Sequence, residues 1–119
     1  MKKILFLILL FYNINTYAID YYTNFVSYKQ YVNNEWTDWT DWQQCWAEVT
    51  LEDNKIIVGD KTFIIYSIYS QKDENSVTIL HEAKDCNKTS IVIRIRYQKD
   101  GVKQLYLDYK DIIYCYNLI

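Results

Sequence analysis

Few side chains in this sequence can do chemistry at neutral pH. There is one histidine, His81, there are three cysteines, Cys45, Cys86 and Cys115, and Asp38 and Asp41 form a close pair of carboxylates. A nucleophilic thiol would need a base beside it in space, an arrangement that the order of residues neither builds nor forbids. The cluster His81, Glu82, Asp85 and Cys86 does not follow a zinc-ligand spacing. Asp38 and Asp41 would fit a glycosidase dyad, but a domain of about a hundred residues with two glycines rarely builds the cleft that a dyad needs. No phosphate-cradling glycine loop, Gly-x-Ser-x-Gly elbow or helix-borne histidine pair is present. The inventory points to binding rather than catalysis, with no metal and no cofactor.

The densest feature is Trp36-Thr37-Asp38-Trp39-Thr40-Asp41-Trp42-Gln43-Gln44-Cys45-Trp46, which holds all four tryptophans and repeats Trp-Thr-Asp in tandem. Aromatics in small β domains mostly build core, and the first expectation is that these rings cap one end of the sheet. Positions 36, 39, 42 and 46 share one side of a helical turn but fall on both faces of a strand. A turn or irregular loop packed on the end of the fold therefore suits them better than an extended strand. If the rings are exposed instead, Trp36, Trp39, Trp42 and Trp46 with Asp38 and Asp41 make a carbohydrate platform. Rings would stack on the sugar face, and carboxylates would accept from its hydroxyls. A protein interface is the third use, since tryptophan and tyrosine dominate binding hot spots.

The N-terminus reads as a secretory leader. Lys2 and Lys3 precede an unbroken apolar or aromatic run, Ile4 to Tyr12, and Thr16 and Ala18 are small enough for signal-peptide cleavage after 18. The run is too short for a stable bilayer span, so no membrane span is expected after cleavage. Residues 19–119 are expected to form one exported domain, periplasmic or extracellular. Removing Lys2 and Lys3 takes the formal charge from −2 to −4. With two arginines and an acidic balance, nucleic acid is not an expected partner. Three cysteines in an exported chain allow one disulfide, in any of three pairings.

The remaining sequence predicts strands. Tyr21 to Val32 is rich in tyrosine, valine and phenylalanine, and Asn33-Asn34 turns the chain. Cys45, Ala47, Val49 and Leu51 alternate with Trp46, Glu48, Thr50 and Glu52, as on a strand with one buried face. Gly59-Asp60 and Asp100-Gly101 are tight-hairpin signals. Thr62 to Ser70 has almost no polar face in its middle, so it is expected to be central or covered on both sides. His81 shares a strand face with Val77, Ile79 and Ala83, which predicts a satisfied, partly buried imidazole rather than a base. Ile91, Ile93, Ile95 and Tyr97 alternate with Val92, Arg94 and Arg96. About eight short strands with tight turns predict an all-β antiparallel meander, closing as a small barrel or folding into a two-layer sandwich.

Two resemblances accompany this reading. Trp36-x-x-Trp39-x-x-Trp42-x-x-Cys45 looks like the opening of thrombospondin type 1 repeats, and Arg94 and Arg96 could supply that family's cation–π partners. Those repeats rest on six cysteines and little regular strand, so the likeness stops at the motif. A wider resemblance combines the lysine-led leader, the Trp-x-x-Trp pair, Asp85-Cys86, Ile93-Arg94-Ile95, Gly101 leading to Gln104-Leu105-Tyr106-Leu107, and Tyr109 to Tyr114. It is similar to small exported proteins of Bacteroides-group bacteria and their crAss-like phages. That likeness implies an exported domain, a possible phage origin and no catalytic residues to transfer. The expected role is a non-catalytic module for a protein partner in the envelope or outside the cell; the alternative is a glycan-binding module using Trp36–Trp46.

Overall fold

A computed structural model describes residues 19–119; the leader assigned to 1–18 lies outside the described residues. The fold is all-β, as the patterning predicts. Its strands are β1 (Tyr21–Val32), β2 (Glu35–Trp36), β3 (Gln43–Leu51), β4 (Lys55–Val58), β5 (Lys61–Lys72), β6 (Ser76–Lys84), β7 (Ser90–Gln98), β8 (Lys103–Asp108) and β9 (Ile112–Leu118). All pairings are antiparallel and join one sheet in the order β2-β1-β3-β4-β5-β6-β7-β8-β9. β1 also pairs with β9, so the meander closes on itself as a ring, with β2 hanging from its rim.

Tight turns set the register. Asn33 and Asn34 take φ of 53° and 64°, the paired left-handed geometry of a two-residue hairpin. Gly59, at φ 59°, closes the β4–β5 hairpin, where an ordinary residue would be strained. The period-2 alternation then sends Val49, Ile56, Val58, Phe63, Ala83, Ile91, Ile93, Ile95, Leu105, Leu107, Tyr116 and Leu118 into one buried cluster inside the ring. Each side chain of Val, Leu, Ile or Phe buried there contributes roughly 1.5–3 kcal/mol. His81 lies on the same inward face opposite Ile93, and its Nδ1 is 3.1 Å from the Ile93 carbonyl oxygen.

One expectation holds in part and another fails. β5 is central, between β4 and β6, only as far as Ile64; beyond that point only β6 pairs with it among the described residues. Ile64, Tyr66, Ile68 and Tyr69 are exposed. β5 outlasts the short β4, and a bulge between Ile65 and Ser67 interrupts its alternation. No disulfide forms among Cys45, Cys86 and Cys115. Cys45 packs against the interior cluster, Cys86 sits exposed in the β6–β7 turn, and Cys115 alternates with Tyr114 and Tyr116 onto the outer face of β9. A bridge between Cys45 and Cys115 would have to pass through the sheet.

Candidate functional site

The tryptophan segment neither caps the core nor forms a helix. It runs beside β1 and is joined to it by an uncommon device that explains the tandem repeat. Thr37 donates its N–H to the Gln30 carbonyl (2.8 Å), while its Oγ1 accepts from the Gln30 N–H (2.9 Å). Thr40 makes the same exchange with Tyr28, N–H to carbonyl at 2.9 Å and Oγ1 from N–H at 3.0 Å. In each unit the threonine hydroxyl stands where a neighbouring strand would offer its carbonyl. Ordinary pairing returns at Val26 with Gln43. Thr37, Thr40 and Gln43 thus meet Gln30, Tyr28 and Val26, three residues of the segment for two of β1. Each Trp-Thr-Asp unit has one residue more than the strand beside it can pair, and the surplus carries the aspartate and tryptophan outward.

All four rings are consequently exposed: Trp36 40%, Trp39 41%, Trp42 49% and Trp46 67%. Asp38 and Asp41 are exposed as well. This corrects the core expectation: spacing alone cannot separate rings that a sheet buries from rings that it displays. The rings are nonetheless held. Lys29 reaches across two of them, its Nζ 5.5 Å from the centre of Trp36 and 5.0 Å from that of Trp39. Tyr31 packs on Trp36 at 5.4 Å, Tyr106 meets Trp39 edge-on at 6.2 Å, and Tyr22 stacks on Trp46 at 4.9 Å and 21°. Such aromatic pairs contribute about 0.5–1.5 kcal/mol each beyond their buried area. The cation over Trp36 and Trp39 is Lys29, not Arg94 or Arg96. Arg94 instead stacks on Tyr106 at 4.2 Å, fixed by a two-point ion pair with Asp108. With Phe25 also exposed, the rings form a strip along the outer side of β1 from Tyr31 to Tyr22. At the rise of an extended strand that is roughly 30 Å.

Trp42 stands between two hollows in this strip. One, of about 350 Å³, is lined by Phe25, Trp42 and Asn117. The other, of about 230 Å³, is lined by Ser27, Trp39, Thr40, Trp42, Gln104, Tyr106 and Cys115. Its floor follows from strand register, because Arg94, Tyr106, Cys115 and Ser27 are successive cross-strand partners on the outer face of β7, β8, β9 and β1. Ser27 Oγ is 2.6 Å from the Thr40 carbonyl, and the Tyr106 hydroxyl donates to Gln104 Oε1 at 2.9 Å. Burial pushes the Cys115 thiol up to about 11 and raises the Tyr106 phenol. Both stay protonated at neutral pH, so Cys115 is a weak donor and not a nucleophile there.

Asp38, Asp41 and the four tryptophans lie exposed on one segment. Cys45 and Cys86 lie elsewhere, and His81 faces inward, away from Glu82 on the outer face. Among the described residues no group of three or more His, Cys, Asp or Glu side chains is placed to hold a metal. Sequence reading missed Ser27, Gln104, Tyr106 and Asn117, and singled out Cys115 only as a thiol or disulfide candidate. Their signal was available in principle, since Tyr106 and Gln104 alternate with Leu105 and Leu107, but only the register sets them beside Trp39 and Trp42. No protein-family model, curated protein or solved structure matches this chain.

Proposed function

We propose that this chain is a non-catalytic binding domain and that its ligand is a glycan, held by the strip beside β1 with Trp42 at its centre. The observation that carries the reading is the setting of Trp42. Its half-exposed ring divides two hollows whose remaining lining is aromatic rings and neutral hydrogen-bonding groups, Asn117 on one side and Gln104, Ser27 and Thr40 on the other. Sugars present an apolar ring face flanked by hydroxyls, and that lining offers a flat apolar wall with amide and hydroxyl partners around it. A strip of roughly 30 Å would seat several sugar units of a chain, so affinity should rise with oligosaccharide length.

A protein partner is the second reading, favoured by the continuous exposure of Tyr31, Trp36, Trp39, Trp42, Phe25 and Trp46. Titrating the protein with neutral and acidic oligosaccharides of increasing length, read by tryptophan emission, separates the two. Saturable shifts that strengthen with length and vanish in Trp42→Ala support the glycan. A flat response to every glycan refutes it and leaves the strip to a protein.

A further inference from the structure

The second half of β5 is an edge. From Tyr66 to Lys72 its only strand partner among the described residues is β6, while on the other side β4 has already ended and Asn54 closes the pairing by accepting from the Ile65 N–H. Natural sheets guard such edges with charge, proline or shortness. This one carries Tyr66-Ser67-Ile68-Tyr69-Ser70-Gln71 with no charge before Lys72, and Tyr66, Ile68 and Tyr69 are exposed.

We propose that two copies of this chain pair antiparallel, β5 to β5, along Tyr66–Lys72 with the twofold axis at Tyr69. The free segment is its own complement. Centred on Tyr69, Ile68 faces Ser70 of the other copy, Ser67 faces Gln71, and Tyr66 faces Lys72, so no like charges meet. An antiparallel pair accepts a self-paired residue in either its hydrogen-bonded or its non-hydrogen-bonded position, and a twofold contact of this kind closes after two chains.

The charges at the two ends choose a second copy over an arbitrary strand. Lys72 of one chain, opposite Tyr66 of the other, arrives beside the β3–β4 turn, where exposed Asp53 precedes Asn54 and Glu52 is already paired with Lys55. That contact occurs twice by symmetry. Asp73, the next residue, does not oppose it, because its carboxylate is folded back onto its own turn. There it accepts from the N–H groups of Asn75 and Ser76 at 2.8 Å and from the Ser76 hydroxyl at 3.0 Å. The turn after Lys72 also carries the chain away before it would meet the β3–β4 turn.

Sedimentation of the purified protein tests this. The weight-average mass should climb toward twice the monomer value as concentration rises from about 1 to 300 μM, the range of a modest interface. Tyr69→Lys places like charges on the axis and should leave a monomer of unchanged circular dichroism. In a Cys86→Ser background, Tyr69→Cys should form a covalent dimer under mild oxidation, because self-paired Cβ atoms lie about 5 Å apart, while Tyr66→Cys should not. A monomer at every concentration overturns the proposal. So does a dimer that persists in Tyr69→Lys, a dimer lost in Trp42→Ala, or equal crosslinking at 66 and 69.

Discussion

Thr37 and Thr40 occupy the same position in two identical Trp-Thr-Asp units and make the same pair of bonds to β1, yet their removal should not cost the same. Valine at either site keeps the shape and deletes the acceptor. At Thr40 the orphaned N–H belongs to Tyr28, in a part-buried contact beside the buried Ser27. Water has poor access there, so Thr40→Val should destabilise the domain by about 1–3 kcal/mol. At Thr37 the orphaned N–H belongs to Gln30, which is exposed, and water replaces the lost acceptor. Thr37→Val should therefore cost less than about 0.5 kcal/mol. For a domain of this size 1 kcal/mol moves the midpoint by roughly 4–8 °C. Thr40→Val should lower Tm by at least about 4 °C, and Thr37→Val by less than that. Thermal unfolding followed by far-ultraviolet circular dichroism reads both. Equal shifts, or a larger shift for Thr37→Val, would refute the claim that the repeat is a hydroxyl-for-carbonyl ladder whose second unit is the more buried and also contacts Ser27.

Other expectations follow from the same contacts. At pH 8 in a Cys45→Ser background, Cys115 should react with an aromatic disulfide at least about 10-fold more slowly than exposed Cys86, since it is buried and its thiol is held up to about 11; comparable rates after adding Cys86→Ser or Cys115→Ser to that background would contradict its burial. Lys29→Met removes the cation over Trp36 and Trp39 and should cost about 0.5–2 kcal/mol in urea unfolding, with red-shifted emission; unchanged stability would make the contact incidental. Burial also holds the His81 imidazole below its usual range, so the fold favours the neutral ring. That contribution is complete above the unfolded value of about 6.5 and is lost as pH falls from there through the lower folded value. His81→Leu should flatten the stability profile below about pH 6.5, and an unaltered profile would assign the slope to carboxylates.

Much of the fold was legible because turn chemistry and period-2 alternation are local. Asn33-Asn34, Gly59-Asp60 and Asp100-Gly101 mark real turns, and Ile91, Ile93 and Ile95 do face the core. What failed depends on which strands lie side by side and how far each extends. The apolar run in β5 reads as central or doubly covered, yet it outlasts β4 and its alternation is interrupted after Ile65. The tryptophans read as core because aromatic content predicts burial on average. Their display depends on two threonine hydroxyls that take the place of backbone carbonyls, a use of side chains that no hydrophobic pattern records. Alternation set Cys45 on the face of Val49 and Leu51, but Cys115 could not be placed on the opposite side until β9 was in register, and the hollow beside Trp42 exists only because β8, β9 and β1 are adjacent.

The most direct measurement is tryptophan emission of the purified protein, first with acrylamide and then against an oligosaccharide series, with Trp42→Ala in parallel. An exposed strip that binds glycan should give red-shifted, readily quenched emission and a saturable shift that grows with chain length and disappears in Trp42→Ala. Blue-shifted emission resistant to quenching, with no response to any glycan, would contradict both the display of the rings and the function drawn from it.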